Sequence, residues 1–237
     1  MQNIEHNTYK AVCKKYQTYR DMKKIVLIGA SGFVGSAILN EALDRGHNVI
    51  AVVRHPDRIK TVHQHLIVKQ IDASSADKVA EVCKGADAVI SSYNPGWKNP
   101  EIAKETTIVY KAIIEGVKKS GVKRLLVVGG AASLFVSPGK RLMDAGVIPE
   151  SFQPAVRALA DVYLTDLKDE NSLDWVFFSP AGIIEPGLRT GKFRLGKDDL
   201  VVDEKGVSKI SVQDYAVAMI DELEKPAHHR ERFTIGY

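Results

Sequence analysis

The run Lys24-Ile-Val-Leu-Ile-Gly29-Ala-Ser-Gly32-Phe-Val-Gly35 constrains this 237-residue chain more than any other stretch. An apolar strand enters three glycines spaced three apart, and a helical face through Val34, Ile38 and Ala42 follows before Gly46. Gly29 can take a backbone shape closed to other residues, Gly32 has no side chain to hold a ligand away from the amides, and Gly35 lets the new helix lie close on the strand. The turn therefore offers free N–H groups at the positive end of a helix dipole, where a pyrophosphate can sit. Gly29, Ala30, Ser31, Gly32, Phe33, Val34 and Gly35 are the candidate contacts. The spacing differs from G-x-G-x-x-G, so the context carries the reading: a second apolar strand, Val49 to Val53, completes a βαβ unit of the expected size.

The residues after that second strand bear on which dinucleotide fits. A site for NAD usually places an acidic side chain there to accept from the ribose hydroxyls, whereas a site for NADP tends to carry arginine. This chain reads Arg54-His55-Pro56-Asp57-Arg58. Two guanidiniums, each a planar fork of donors, suit a ribose 2′-phosphate, so NADP(H) is favoured over NAD(H).

Strands and helices continue to alternate. Leu66 to Ile71 reads as a third strand, Ala86 to Ile90 as a fourth, Val122 to Val128 as a fifth and Asp174 to Pro180 as a sixth. Helical patterns begin after Asp72-Ala-Ser-Ser75, at Ile102, at Pro154 and after Ser211. The fold class expected is α/β, a Rossmann-type doubly wound parallel sheet with helices on both faces and a small C-terminal region on the substrate side. Ligands of such sheets lie beyond the carboxyl ends of the strands. That adds Asp72, Ala73, Ser91, Ser92, Tyr93 and Gly129 to the candidate cofactor contacts. Phe135 to Gln153, with two glycines and two prolines, predicts an irregular cover over the substrate side, and Glu185 to Gly206 predicts hairpin-like structure.

One domain, residues 22–237, suffices for this length, with 181–237 as its substrate-side segment. Residues 1–21 precede a second methionine and are expected to be a disordered extension rather than a secretory signal, since they hold no apolar core. A net charge of +4 without a recognisable nucleic-acid motif makes nucleic acid an unexpected partner. No apolar run reaches the roughly 20 residues of a membrane span, and Cys13 and Cys83, far apart, form neither a disulfide framework nor a zinc motif. A soluble cytoplasmic protein follows as the expectation. His55, His63, His65 and the pair His228-His229 show no metal-ligand spacing and are expected to be surface histidines, so no metal is expected.

Taken together, Gly29-Ala-Ser-Gly-Phe-Val-Gly35, Val53 to Arg58, Asp72-Ala73, Ala88 to Ser92, Val127 to Gly130, Asp174 to Ala181 and Phe233 to Tyr237 resemble the atypical NAD(P)H-binding branch of the short-chain dehydrogenase/reductase superfamily. That branch includes NmrA-like proteins, biliverdin reductase B-like flavin reductases and proteins assigned as NADH-flavin reductases or epimerases. The resemblance implies that Asp72 contacts adenine, that Ser91 and Ser92 flank the nicotinamide ribose, and that Pro180 and Ala181 lie near the nicotinamide.

Catalytic members of the superfamily use a Tyr-x-x-x-Lys pair with a serine. Here Tyr163 is followed by lysine only at Lys168, and on an α-helix a five-residue separation puts two side chains about 140° apart. Tyr163 and Ser133 remain as weak catalytic candidates, with Tyr93, Asn94 and Ser133 the polar groups around the presumed nicotinamide end; Trp97 either covers core or stacks on a flat ligand such as flavin. Three functions stay open. The first is reduction of a flat acceptor such as flavin or quinone by NADPH, in which the cofactor carries the difficult chemistry. The second is a non-catalytic NADP(H) sensor acting on a protein partner. The third is an epimerase or dehydratase.

Overall fold

The computed structural model describes residues 22–237; the expectation for 1–21, and Cys13 with it, lies outside the described residues. Eight strands form one sheet: Lys24–Ile28 (β1), Asn48–Val53 (β2), Leu66–Gln70 (β3), Ala88–Ser91 (β4), Arg124–Val128 (β5), Asp174–Ser179 (β8), Arg194–Gly196 (β10) and Glu231–Gly236 (β12). Their order is β10-β12-β8-β5-β4-β1-β2-β3. All pair in parallel except β10, which runs antiparallel to β12. The chain moves outward one way through β2 and β3 and the other way from β4, so the order reverses between β1 and β4. A crevice opens beyond the strand ends at such a reversal.

The interior strands read as near-continuous apolar runs because both of their faces are covered. On one face, Ile38, Leu39, Ala42 and Leu43 of the helix Phe33–Asp44 (α1) pack with the helix Val212–Glu224 (α5). On the other lie Ala76–Cys83 (α2), capped by Ser75, and Ile102–Ser120 (α3), which buries Val109, Tyr110, Ile113 and Val117. Cys83 is a free, buried thiol whose pKa burial pushes up to about 12, so it stays protonated and inert.

Two of the expected elements differ. Pro154 to Asp169 is not one α-helix: Gln153–Asp161 (α4) gives way to a π-helical turn over Val162–Leu167. Glu185 to Gly206 is not a local hairpin either. Ile183–Glu185 (β9) pairs with Lys209–Ser211 (β11), and β10 pairs with the closing strand β12. The histidines differ too, for the His228 ring is not a surface group. It caps a ladder of stacked rings, His228 on Phe233, Phe233 on Phe178 and Phe178 on Tyr215, with centroids 4.1, 4.1 and 4.2 Å apart, while Glu222 takes its Nδ1 at 2.7 Å. The Tyr215 hydroxyl donates to the Phe178 carbonyl, which also accepts from the Gly129 amide at 2.8 Å. The ladder thereby fixes the ends of β5 and β8 where the crevice opens.

Asp214, in the first turn of α5, is fully buried and ties down the C-terminal region. It accepts from the Thr190 amide at 2.7 Å, the Gly191 amide at 2.8 Å, the Thr190 hydroxyl at 2.6 Å and the Tyr237 hydroxyl at 2.8 Å. Burial alone would raise its pKa; these donors outweigh burial and hold it below the ordinary carboxylate value. A depressed folded pKa contributes stability above the unfolded value, about 4, that is lost as pH falls through the folded value. Asp214→Asn keeps the shape but loses the charge. It is expected to lower Tm at neutral pH by about 2–6 °C, from about 1–2 kcal/mol of weakened hydrogen bonding. In melting scans the gap from wild type should shrink below about pH 4; a gap independent of pH would contradict this role.

Candidate functional site

Loops from the carboxyl ends of β1, β2, β3, β4, β5 and β8 border a cavity of about 990 Å³. At its floor, Gly29 turns the chain out of β1 with φ +83° and donates its N–H to the Val52 carbonyl at 2.9 Å. A Cβ on Gly35 would stand 2.2 Å from the Gly29 carbonyl oxygen, so α1 can start this close to the strand only with glycine there. The Ser92 hydroxyl lies within 3.1 Å of both the Ile28 and Gly29 carbonyls and clasps the turn.

Ser75 and Ser211 cap α2 and α5, but α1 begins at Gly32 with no side-chain cap and no acidic residue in its first turn. The first amide bonded back into the turn within the helix is that of Ser36, at 2.9 Å to the Gly32 carbonyl, which leaves the amides of Phe33 to Gly35 for an anion. A pyrophosphate fits here on two counts: the donors are free, and Gly32 leaves the approach open, with only the Gly29 oxygen, at 3.3 Å, near the position of a Cβ.

Arg54 and Arg58 line one end of the cavity. Arg54 reaches across it, with Nη2 donating to the Pro95 carbonyl at 3.1 Å, Nη1 4.0 Å from a Glu105 oxygen, and the guanidinium 6.0 Å from the Tyr93 ring centre. Asp72 faces the same end. Its carboxylate accepts from the Ser74 amide at 3.0 Å; that bond, with Lys78 and Arg54 nearby, keeps its pKa below the usual value. Tyr93 belongs to this end as well: burial raises the pKa of its phenol, and the charges that act on it are those of Arg54, Glu105 and Asp72.

The other end is apolar. Gly129, Pro180 and Ala181 form its base and Leu142, Ile148 and Leu159 its cover. Leu142 and Ile148 belong to the expected irregular segment, which forms a small hairpin of Phe135–Ser137 (β6) and Lys140–Arg141 (β7) followed by short turns, and Leu159 belongs to α4.

The candidate cofactor residues thus converge with three exceptions. Ala30, Gly35 and Ser91 stand behind the cavity wall, where Ala30 and Ser91 are fully buried and Gly35 acts through its closeness to Gly29. Sequence reasoning missed Ser92 as the clasp of the glycine turn; its place one residue past β4, beside the turn in space, has no local signal.

Neither catalytic candidate reaches the cavity. Ser133 is fully buried, and its Oγ takes a hydrogen bond from Arg232 at 3.0 Å. The Tyr163 ring stacks on Phe177 at 5.3 Å under the guanidinium of Arg232, 4.6 Å away, and burial raises its phenol pKa. The 140° separation expected between Tyr163 and Lys168 does not apply, because the π-turn joins the Lys168 amide to the Tyr163 carbonyl at 3.2 Å. Lys168 is nevertheless exposed, and the charges acting on the Tyr163 phenol come from Arg232, Asp198, Arg141 and Glu231. Asn94, which does line the cavity, spends its carbonyl on the Gly96 amide at 2.7 Å. Tyr163→Phe is therefore expected to leave turnover within about twofold of wild type, since a proton donor would be worth about 100-fold or more. A hundredfold loss would restore Tyr163 to the chemistry. Among the described residues no cluster of three or more metal-ligating side chains is present, and no helix is long and apolar enough to cross a membrane.

Residues 29–223 match the model of a family described as NAD(P)H-binding. A curated protein of Bacillus subtilis, the uncharacterised YwnB, is 40% identical over 217 residues, covering 90% of this chain and 97% of its own length. A crystal structure from Bacteroides thetaiotaomicron, described as a proposed epimerase, is 64% identical with a TM-score of 0.86, covering 91% of this chain and 97% of that one. Another, from Streptococcus pneumoniae, is described as a proposed NADH-flavin reductase; it is 35% identical with a TM-score of 0.76, covering 90% of this chain and 99% of that one.

Proposed function

Because the chain belongs to the NAD(P)H-binding family, in the atypical branch of the short-chain dehydrogenase/reductase superfamily, we propose that it is an NADPH-dependent reductase of a flat acceptor such as a flavin or quinone. The observation that carries this reading is the contrast between the two ends of the cavity. Every ionisable side chain on its wall, Arg54, His55, Arg58, Asp72, Tyr93 and Glu105, comes from the loops after β2, β3 and β4 or from α3, whereas the base and cover of the apolar end carry none. An acceptor whose reduction needs a protein acid has no donor there. A conjugated ring needs none, because it takes a hydride and then draws its proton from water.

The reduced nicotinamide supplies that hydride when the cofactor is bound. The chain's own part is to bind and to exclude water. The α1 amides would hold the pyrophosphate, Arg54 and Arg58 a 2′-phosphate, and Gly129, Pro180 and Ala181 would set the nicotinamide against the apolar cover, which keeps bulk water from the transfer. Cys83, kept as a buried thiol, suits a reducing compartment, and the cytoplasm is the location we assign. The Streptococcus neighbour is described with NADH as donor; the arginine pair supports NADPH in this chain.

The test is reduced-cofactor oxidation by purified protein against riboflavin, menadione and small carbonyls, with NADPH and NADH compared. Turnover of the flat acceptors with NADPH preferred is the expected result. Tight NADPH binding without turnover of any acceptor would overturn it in favour of a non-catalytic NADP(H) sensor, a reading that the same lack of a proton donor also suits. Turnover of carbonyls alone would keep the reductase and replace the flat acceptor with a carbonyl substrate.

A further inference from the structure

Two aromatic side chains at the apolar end of the cavity are left unexplained by the cofactor. Trp97, in the loop after β4, and Phe152, in the turn before α4, both line the cavity, yet they are 58% and 41% exposed. They stand apart from the sealed core around them. Their rings meet edge to face, with centroids 5.4 Å apart and planes at 78°.

Each ring is braced within its own segment. The Asn94 carbonyl accepts from Gly96, which has φ +109° and whose carbonyl accepts from the Asn99 amide at 2.9 Å. On the other side the Phe152 amide donates to the Pro149 carbonyl at 2.9 Å and Gln153 to the Ile148 carbonyl at 3.1 Å, while Arg157 holds Met143 and Asp144. Among the described residues no hydrogen bond crosses between the segments. The two rings touch across the segments, and Gly96 and Gly146, both with positive φ, lie beside them in the chain.

We propose that Trp97 and Phe152 are the specificity-determining jaws of the acceptor subsite, which part to take one planar, uncharged ring between them. A ring sandwiched between two others needs about 3.5 Å on each side, so the jaws must open from 5.4 Å to about 7 Å. Rotating the rings from edge-to-face to stacked recovers aromatic contact on both faces of the guest. Both jaws are uncharged rings, so the guest is gripped through its planar faces rather than by counter-charge. The inference rests on the reductase reading for the identity of the guest, but it is tested by binding rather than by turnover.

The probe is riboflavin, titrated into the full-length protein saturated with NADP⁺ and followed by quenching of riboflavin's own emission. Trp97→Leu and Phe152→Leu, checked for unchanged melting and unchanged NADP⁺ affinity, are each expected to weaken riboflavin at least tenfold, with Trp97→Phe restoring most of the loss. A polar role would not be rescued by phenylalanine, and a merely structural one would move melting or NADP⁺ affinity. If riboflavin binds equally to wild type and both leucine variants, the jaws are overturned while the reductase reading stands. Failure of wild type to bind riboflavin overturns the jaws too. Failure to bind NADPH is the result that overturns the reading beneath them.

Discussion

Gly32→Val is expected to reduce NADPH affinity by at least about 100-fold while the protein stays folded. Gly32 has extended backbone angles open to any residue, φ −77° and ψ 172°, and a Cβ there meets only the Gly29 oxygen, at 3.3 Å. Its strain should be about 1 kcal/mol, or a Tm cost of no more than about 4 °C. On the ligand side the added isopropyl group stands where a pyrophosphate approaches the α1 amides. Loss of two charge-assisted hydrogen bonds, at about 1.5–3 kcal/mol each, gives the expected weakening. The paired control is Gly35→Ala. There the new methyl carbon would meet the Gly29 oxygen at 2.2 Å and the Ser92 Oγ at 2.5 Å, so stability should suffer before affinity does. Titration and melting of both variants separate the roles; a Gly32→Val protein that binds NADPH normally would remove the turn from the site.

Arg54→Ala should weaken NADPH by about 10- to 100-fold and NADH by no more than about threefold, because only NADPH carries the 2′-phosphate that a guanidinium holds by charge-assisted bonds. In the structure Arg54 is engaged with the Pro95 carbonyl, at 3.1 Å, on the far wall of the cavity. A cofactor phosphate that draws on Arg54 competes for the guanidinium that Pro95 now holds. NADPH should therefore change the environment of Trp97, two residues on, more than NADH does, and Arg54→Ala should erase that difference in tryptophan fluorescence. Equal losses of both cofactors would refute the assignment of Arg54 to the 2′-phosphate.

The parts of the site legible in the sequence are those whose signal is local. Gly29, Gly32 and Gly35 each have a steric meaning within one strand-to-helix turn, and Arg54 follows a strand whose apolar run ends visibly at Val53. The sheet is legible for the same reason, since each buried strand is a short apolar run bounded by turn residues. What escaped depends on distant partners. In the π-turn at Val162–Leu167, Tyr163 packs on Phe177 of the next strand and beside Arg232 of the closing strand, and nothing in the turn's own sequence departs from an α pattern. Strand β10 finds β12 some forty residues later, so its glycines look like hairpin turns when read locally. Ser133 and Tyr163 looked available because their types suit catalysis; only the fold shows Arg232 claiming both.

The most direct test is to follow NADPH binding and NADPH oxidation on one sample of wild-type protein as riboflavin is added. The expected result is one NADPH per chain, oxidised at a rate that saturates with riboflavin and falls with Arg54→Ala. Saturable NADPH binding with no oxidation, unchanged by menadione or any carbonyl, would contradict the reductase assignment.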